Sequence, residues 1–224
     1  MKDIKLSLRL TAAAELCRKN SFIADVGTDH AYLPIYLAQK GIIRGGVVSD
    51  IHKGPIEKAR ANIAAHGLSD MLTPIHCDGL EGLEGFAPED IFILGMGGEL
   101  IARIITDAPF LKRKGTRLIL QPMTHPEILR RSLNSQGFKI IEEKLIKEEK
   151  IYQLLSAEYV AESEEYSAVE LMFGKINIAE GSPLLAELLA HTERVILDRV
   201  AGKKKADADT SEEENFLKEI EKLK

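Results

Sequence analysis

The run Phe22-Ile23-Ala24-Asp25-Val26-Gly27-Thr28-Asp29-His30-Ala31-Tyr32-Leu33-Pro34 constrains the fold of this chain more than any other stretch. Phe22–Val26 has the pattern of a short buried strand, Gly27 breaks it, and Ala31–Gln39 reads as a helix with Pro34 in its first turn. A strand that feeds a helix through a glycine turn opens a βαβ unit, which leaves backbone N–H groups and a ligand crevice at the strand's carboxyl end. The glycine pattern is incomplete for a dinucleotide, because Asp29 stands where a second glycine would be. A carboxylate there repels a pyrophosphate, whereas Asp25 and Asp29 together attract a cation. S-adenosylmethionine (SAM), with its sulfonium and ammonium groups, matches that charge.

The rest of residues 1–160 continues the alternation of strand and helix. Strands are expected at Val47–Asp50, Leu72–Cys77, Asp90–Leu94 and Thr116–Gln121. Helices are expected at 4–19, Pro55–His66, Glu99–Ile105 and from His125 or Pro126 to Gln136. The first of these carries Arg9, Arg18 and Lys19 off its apolar face, toward the mouth of the first strand. Phe138–Ile146 and Lys150–Tyr159 then read as two strands about the turn Lys147-Glu148-Glu149. The pattern predicts an α/β, Rossmann-like fold with a seven-stranded, mostly parallel sheet and one antiparallel strand. A six-stranded NAD domain has no such closing hairpin; a SAM-dependent methyltransferase does.

Residues 161–224 read as a separate C-terminal arm. An acidic bridge, 162–170, leads to the helix start Ser182-Pro183 and an apolar stripe from Leu184 to Val200, ended by Gly202-Lys203-Lys204-Lys205. Ser211 and Glu214 have capping-box spacing, and Phe216, Ile220 and Leu223 form a second stripe. Two helices in this order predict an antiparallel, coiled-coil-like hairpin. It serves as a packing or dimerisation element, or as a clamp on a large substrate.

Other strand ends carry candidate ligand groups. Asp50, at the end of the second strand, is placed to hold a ribose, or else caps the following helix. Asp78-Gly79, after the third, either bonds an adenine amino group or makes a turn. Gly95-Met96-Gly97-Gly98 puts three glycines in four residues at a strand-to-helix switch, so a ligand or a neighbouring element approaches the backbone closely there, a ligand being favoured.

Composition excludes several classes. The net charge of −5 argues against indiscriminate nucleic-acid binding. Residues 1–160 are nonetheless near neutral, with 21 Lys+Arg against 20 Asp+Glu, and 161–224 are acidic, with 9 against 15. Local basic clusters at Lys2/Lys5/Arg9, Arg18-Lys19, Lys112-Arg113-Lys114 with Arg117, Arg130-Arg131 and Lys203–Lys205 are either scattered solvated charge or a phosphate-contacting face. The two cysteines suggest no disulfide framework, the six histidines fall in no zinc spacing, and no phosphate-loop or nucleophile-elbow motif is present. With no secretory pattern and no membrane span, a cytoplasmic location is expected, with no metal, and a monomer is favoured over an oligomer.

Asp25–Pro34, Gly54-Pro55, Gly95–Gly98 and Leu120-Gln121-Pro122 together resemble the bacterial tRNA (adenine-22, N1)-methyltransferase family, TrmK, over essentially the whole chain. The resemblance implies a class I SAM-dependent methyltransferase acting on adenine in the D-arm of tRNA. It places Asp25, Gly27, Thr28, Asp29 and His30 around SAM, Asp50 on the ribose, Asp78 and Gly79 near the adenine ring, and Gly95 and Met96 where donor meets acceptor. Among these residues Asp29 is expected to act electrostatically and His30 to position the base, while Gln121 is expected to read the adenine edge. Ile51–Lys53 and the short second helix of the arm depart from the family pattern. Competing readings are a small-molecule methyltransferase, a SAM- or RNA-binding module without catalysis and, last, an NAD dehydrogenase.

Overall fold

The computed structural model describes residues 4–224, so Lys2 of the first basic cluster lies outside the described residues. Strands β1 (Ser21–Val26), β2 (Ile43–Asp50), β3 (Leu72–His76), β4 (Asp90–Met96), β5 (Arg117–Pro122), β6 (Phe138–Lys147) and β7 (Ile151–Tyr159) form one sheet, in the order β3-β2-β1-β4-β5-β7-β6. The first five run parallel, and β7 is antiparallel to both β5 and β6. Chain order reverses between β1 and β4, which puts the crevice of the sheet at their carboxyl ends.

β4 lies at the centre, and Ile91, Phe92 and Ile93 are fully buried because helices cover both faces of the sheet. One face packs on α4 (Gly98–Thr106) and α5 (Pro126–Ser135) through Ile101, Ile105, Leu129 and Leu133. The other packs on α1 (Leu8–Glu15), α2 (Tyr32–Gln39) and α3 (Lys53–Ala65) through Ala13, Leu33, Ile35 and Ile63.

Several boundaries differ from those the sequence predicts. α1 is half the expected length, starting where Ser7 caps it by accepting from the N–H of Leu10. β2 begins at Ile43 and runs through Gly45 and Gly46. A side chain at Gly46 would approach the Ile23 side chain to 2.6 Å, so this glycine serves close strand packing rather than a turn. β4 continues through Gly95 to Met96.

After β7 come two short helices absent from the sequence reading, α6 (Ala168–Phe173) and α7 (Lys175–Glu180). α6 opens on a reciprocal capping box between Ser167 and Glu170. α8 (Pro183–Lys205) and α9 (Ser211–Glu221) follow; Gly202 lies inside α8 rather than ending it. α9 begins after Thr210 with no side-chain cap and without the expected Ser211 box, and the Ser211 hydroxyl donates backward to Asp209. Phe173, Leu185, Leu189, Ile196 and Ile220 share one apolar cluster, against which Leu145 of β6 also packs.

A buried polar network fastens this region to the sheet. Arg130 of α5 is fully buried and donates to Glu143 on β6, to Gln153 on β7, and to the carbonyls of Leu171 and Met172 in α6. Glu143 also accepts from the N–H of Ile176, and its carboxylate fills the space beside Gly174 that a side chain would need. Arg130 is thus removed from any basic surface. Arg18 is likewise committed, to Asp90 and to the carbonyls of Glu89 and Gly115 at the opposite edge of the sheet from the crevice. Arg117 pairs with Glu158, and Lys203 and Lys204 pair with Glu213 and Glu214 of α9. Among the described residues no helix is long and apolar enough to cross a membrane.

Candidate active site

A cleft of about 240 Å³ opens at the carboxyl ends of β1 and β4. Asp25, Gly27, Thr28, Asp29, His30 and Gly95 all line it, so most of the residues singled out in the sequence converge there. β1 delivers Asp25 to the floor, and Gly27 (φ +75°) turns the chain away from the sheet. The N–H groups of Gly27 and Thr28 donate to the Ser49 carbonyl at 2.8 and 3.0 Å. The turn therefore presents carboxylates rather than the free N–H groups expected of it. The Thr28 hydroxyl accepts from the N–H of Ala31 at 3.1 Å, and Ala31 itself is left-handed (φ 58°), which swings α2 into line.

The two acids of this turn differ in environment. Asp25 is buried, and burial pushes its carboxyl up to about 6, partly opposed by a hydrogen bond from Thr28. Asp29 is 76% exposed and lies 3.2 Å from Nε2 of His30, whose ring stacks on Tyr32 with centroids 5.1 Å apart. Tyr32 lines the cleft and is 46% exposed, an aromatic face that the sequence reading left out of the site.

Asp78 and Gly79 stand apart. They line a separate depression of about 300 Å³ with Arg103 and Asp107, and Asp78 is paired there with Arg103 at 3.3 Å. Ser49 joins the two sites, its carbonyl holding the Gly27 turn and its hydroxyl donating to the Gly79 carbonyl at 3.0 Å. Asp50 also stands outside the cleft lining. Its Oδ1 accepts from the N–H of His52, the residue just before α3, and no side chain caps that helix, so the capping alternative is not met either.

The glycine run after β4 divides between two causes. Gly95 (φ +77°) faces the cleft. A side chain at Gly98 would meet the His125 carbonyl at 2.2 Å, so the close approach there is made by the loop before α5 rather than by a ligand. Met96 does not line the cleft; its methyl group lies over Gly27, 2.0 Å from where a side-chain carbon would sit. Gly98→Ala is expected to cost roughly 2–3 kcal/mol of stability in urea unfolding, because a backbone carbonyl has to move. An unchanged midpoint would contradict that packing.

Gln121 departs from its expected role. It is fully buried, its Oε1 accepts from Arg9 at 2.7 Å, and its Nε2 donates to the Pro122 carbonyl at 2.8 Å. Both ends of the amide are engaged within the protein, which leaves no edge free for a base. Arg9, noted in the sequence only as one of the cations near the mouth of β1, lines the cleft itself. No sequence signal ties it to Gln121, 112 positions away.

The fold and this crevice define a methyltransferase, and the family model described as a methyltransferase domain matches residues 6–155. The tRNA (adenine(22)-N(1))-methyltransferase of Bacillus subtilis is 33% identical over 79% of this chain and 74% of its own length. Streptococcus pneumoniae Sp1610, solved in complex with S-adenosyl-L-methionine, is 30% identical with a TM-score of 0.87, covering 98% of this chain and 99% of that one. Mycoplasma capricolum TrmK, solved with S-adenosyl-homocysteine, is 26% identical with a TM-score of 0.84, covering 97% and 96%. The chain belongs to the tRNA (adenine(22)-N1)-methyltransferase family, TrmK.

Proposed function

We propose that this protein transfers a methyl group from SAM to N1 of adenine-22 in the D-arm of tRNA. The observation that carries this reading is the acidic cleft at the reversal of chain order, lined by Asp25 and Asp29 in a chain of this family. The residues fit SAM: two carboxylates suit its sulfonium and ammonium, and one cation, Arg9, suits its carboxylate. When bound, SAM supplies an electrophilic methyl group on sulfur.

The protein's own residues supply position and charge. N1 of adenine attacks through an in-plane lone pair, so the base must leave its stack, which costs a few kcal/mol. Tyr32, exposed at the cleft and backed by His30, offers a face on which such a base can lie. The adenine ring becomes cationic as the methyl arrives, and in this proposal the Asp29 carboxylate stabilises that charge. No covalent enzyme intermediate is needed. The reading takes residues 161–224 as an arm that aids grip on tRNA, the protein as a monomer, and the cytoplasm as its location.

The test is incubation of the full chain with labelled SAM and unmodified bacterial tRNA, followed by nucleoside analysis. N1-methyladenosine at position 22, and none when that adenine is replaced, is the expected result. Absence of label in tRNA while SAM binding is intact would overturn it.

A further inference from the structure

We propose that the groove between α8 and the turn joining β6 to β7 is a phosphate-contacting site for the substrate tRNA, with Lys150 and Arg194 as its cations; this rests on the tRNA reading above. The groove holds about 450 Å³, and Glu149, Lys150, Glu187, Leu188, His191 and Arg194 are among the residues that line it. Glu187, His191 and Arg194 are spaced i, i+4, i+7 and so share one face of α8. All three are exposed, as is Lys150.

Topology puts this groove beside the cleft. β7 runs antiparallel to β5, so the turn before Ile151 stands at the carboxyl ends of the parallel strands, on the cleft side of the sheet. Tyr152 adjoins both places. The guanidinium of Arg9, which lines the cleft, lies 5.0 Å from the Tyr152 ring centroid, and Lys150 Nζ lies 5.1 Å from it. RNA that delivers an adenine to the cleft therefore has the groove within reach. Other basic clusters stand elsewhere: Lys19 precedes β1 and Lys112–Lys114 precede β5, at the opposite ends of the strands. At the far end of α8, Lys203 and Lys204 are held by α9.

The charges in the groove favour a polyanion. Its two carboxylates are engaged, Glu187 by Lys147 at 2.6 Å and Glu149 by the Tyr152 hydroxyl. Neither Lys150 nor Arg194 forms an ion pair among the described residues; Arg194 Nη2 lies 3.2 Å from Nδ1 of His191, and its other N–H groups remain for a ligand. Residues 161–224 carry 15 acids against 9 Lys and Arg, so most of the arm repels RNA and a local excess of cations decides where a strand can lie. An acidic protein would meet the same cations, but only the tRNA has to continue from here into the cleft.

The experiment is fluorescence anisotropy of labelled, unmodified tRNA with the full chain across a range of salt concentrations. Lys150→Gln/Arg194→Gln is expected to weaken tRNA roughly 10- to 30-fold near 0.1 M salt and to flatten the slope of log Kd against log salt by about two, one for each lost phosphate contact. Calorimetric affinity for S-adenosylhomocysteine should stay within about twofold. The control Lys112→Gln/Lys114→Gln removes the same charge at the opposite end of the sheet and is expected to move tRNA less than about twofold. Circular dichroism melts establish that both variants keep the fold. Unchanged tRNA affinity and slope in the groove variant, or an equal loss in the control, would overturn the proposal. Failure of the unsubstituted protein to bind and methylate tRNA would instead overturn the tRNA reading, and the proposal with it.

Discussion

Asp25→Asn is expected to weaken SAM binding by about 100-fold or more while making the ligand-free protein more stable at alkaline pH. The folded carboxyl titrates at about 6 against 3.8 for an unperturbed aspartate, because burial disfavours its charged form. A raised acid contributes its stability below the unfolded value and loses it as pH rises through the folded one. At pH near 8 the ionised Asp25 therefore costs the free protein roughly 3 kcal/mol. Asparagine removes that cost. The stability difference should shrink as pH falls through about 6 and vanish below about 4. A cationic ligand reverses the balance, so SAM affinity of the unsubstituted protein should rise with pH toward a plateau above about 6, and that of the variant should stay flat. Thermal melts and calorimetric titrations across this range measure both. Undiminished SAM affinity in Asp25→Asn would remove Asp25 from the site.

Arg130→Met should produce the largest loss of stability, about 3–5 kcal/mol. Arg130 and Glu143 are both buried, and desolvation lowers the affinity of Arg130 for its proton, opposed by Glu143. Removing the cation strands a buried carboxylate, which costs far more than the pair itself is worth. The double variant Arg130→Met/Glu143→Leu should recover a good part of the loss, since two apolar groups leave no charge behind. The carbonyls of Leu171 and Met172 also lose their donor, so proteolysis after α6 should quicken in the single variant. Urea unfolding and limited trypsin digestion test the two effects, and an unchanged midpoint for the single variant would show the network to be dispensable.

The βαβ core was readable because its signals are local. A continuous apolar run such as Ile91–Leu94 suits a strand covered on both faces, and Gly27 leaves the chain only one cheap way to turn. The short helices α6 and α7 were missed because six residues each hold too little periodicity to register, and their place is set by Arg130 and Glu143 from distant strands. The basic clusters stayed open between solvated charge and a phosphate-contacting face for a related reason: sequence counts charges, but Arg18 and Arg130 are consumed by Asp90 and Glu143.

The sequence by itself determined the sheet, the switch point, and the acids that make the cleft attractive to a cation, because strand ends carry their side chains to one edge whatever else surrounds them. Only the tertiary structure decided how those groups are used. It turned Gln121 inward to hold Arg9, spent the N–H groups of the Gly27 turn on Ser49, and set Asp78 in a neighbouring depression. Hydrogen bonds between residues far apart in the chain leave no periodicity or spacing to read; they exist only once the backbone has brought their partners within about 3 Å.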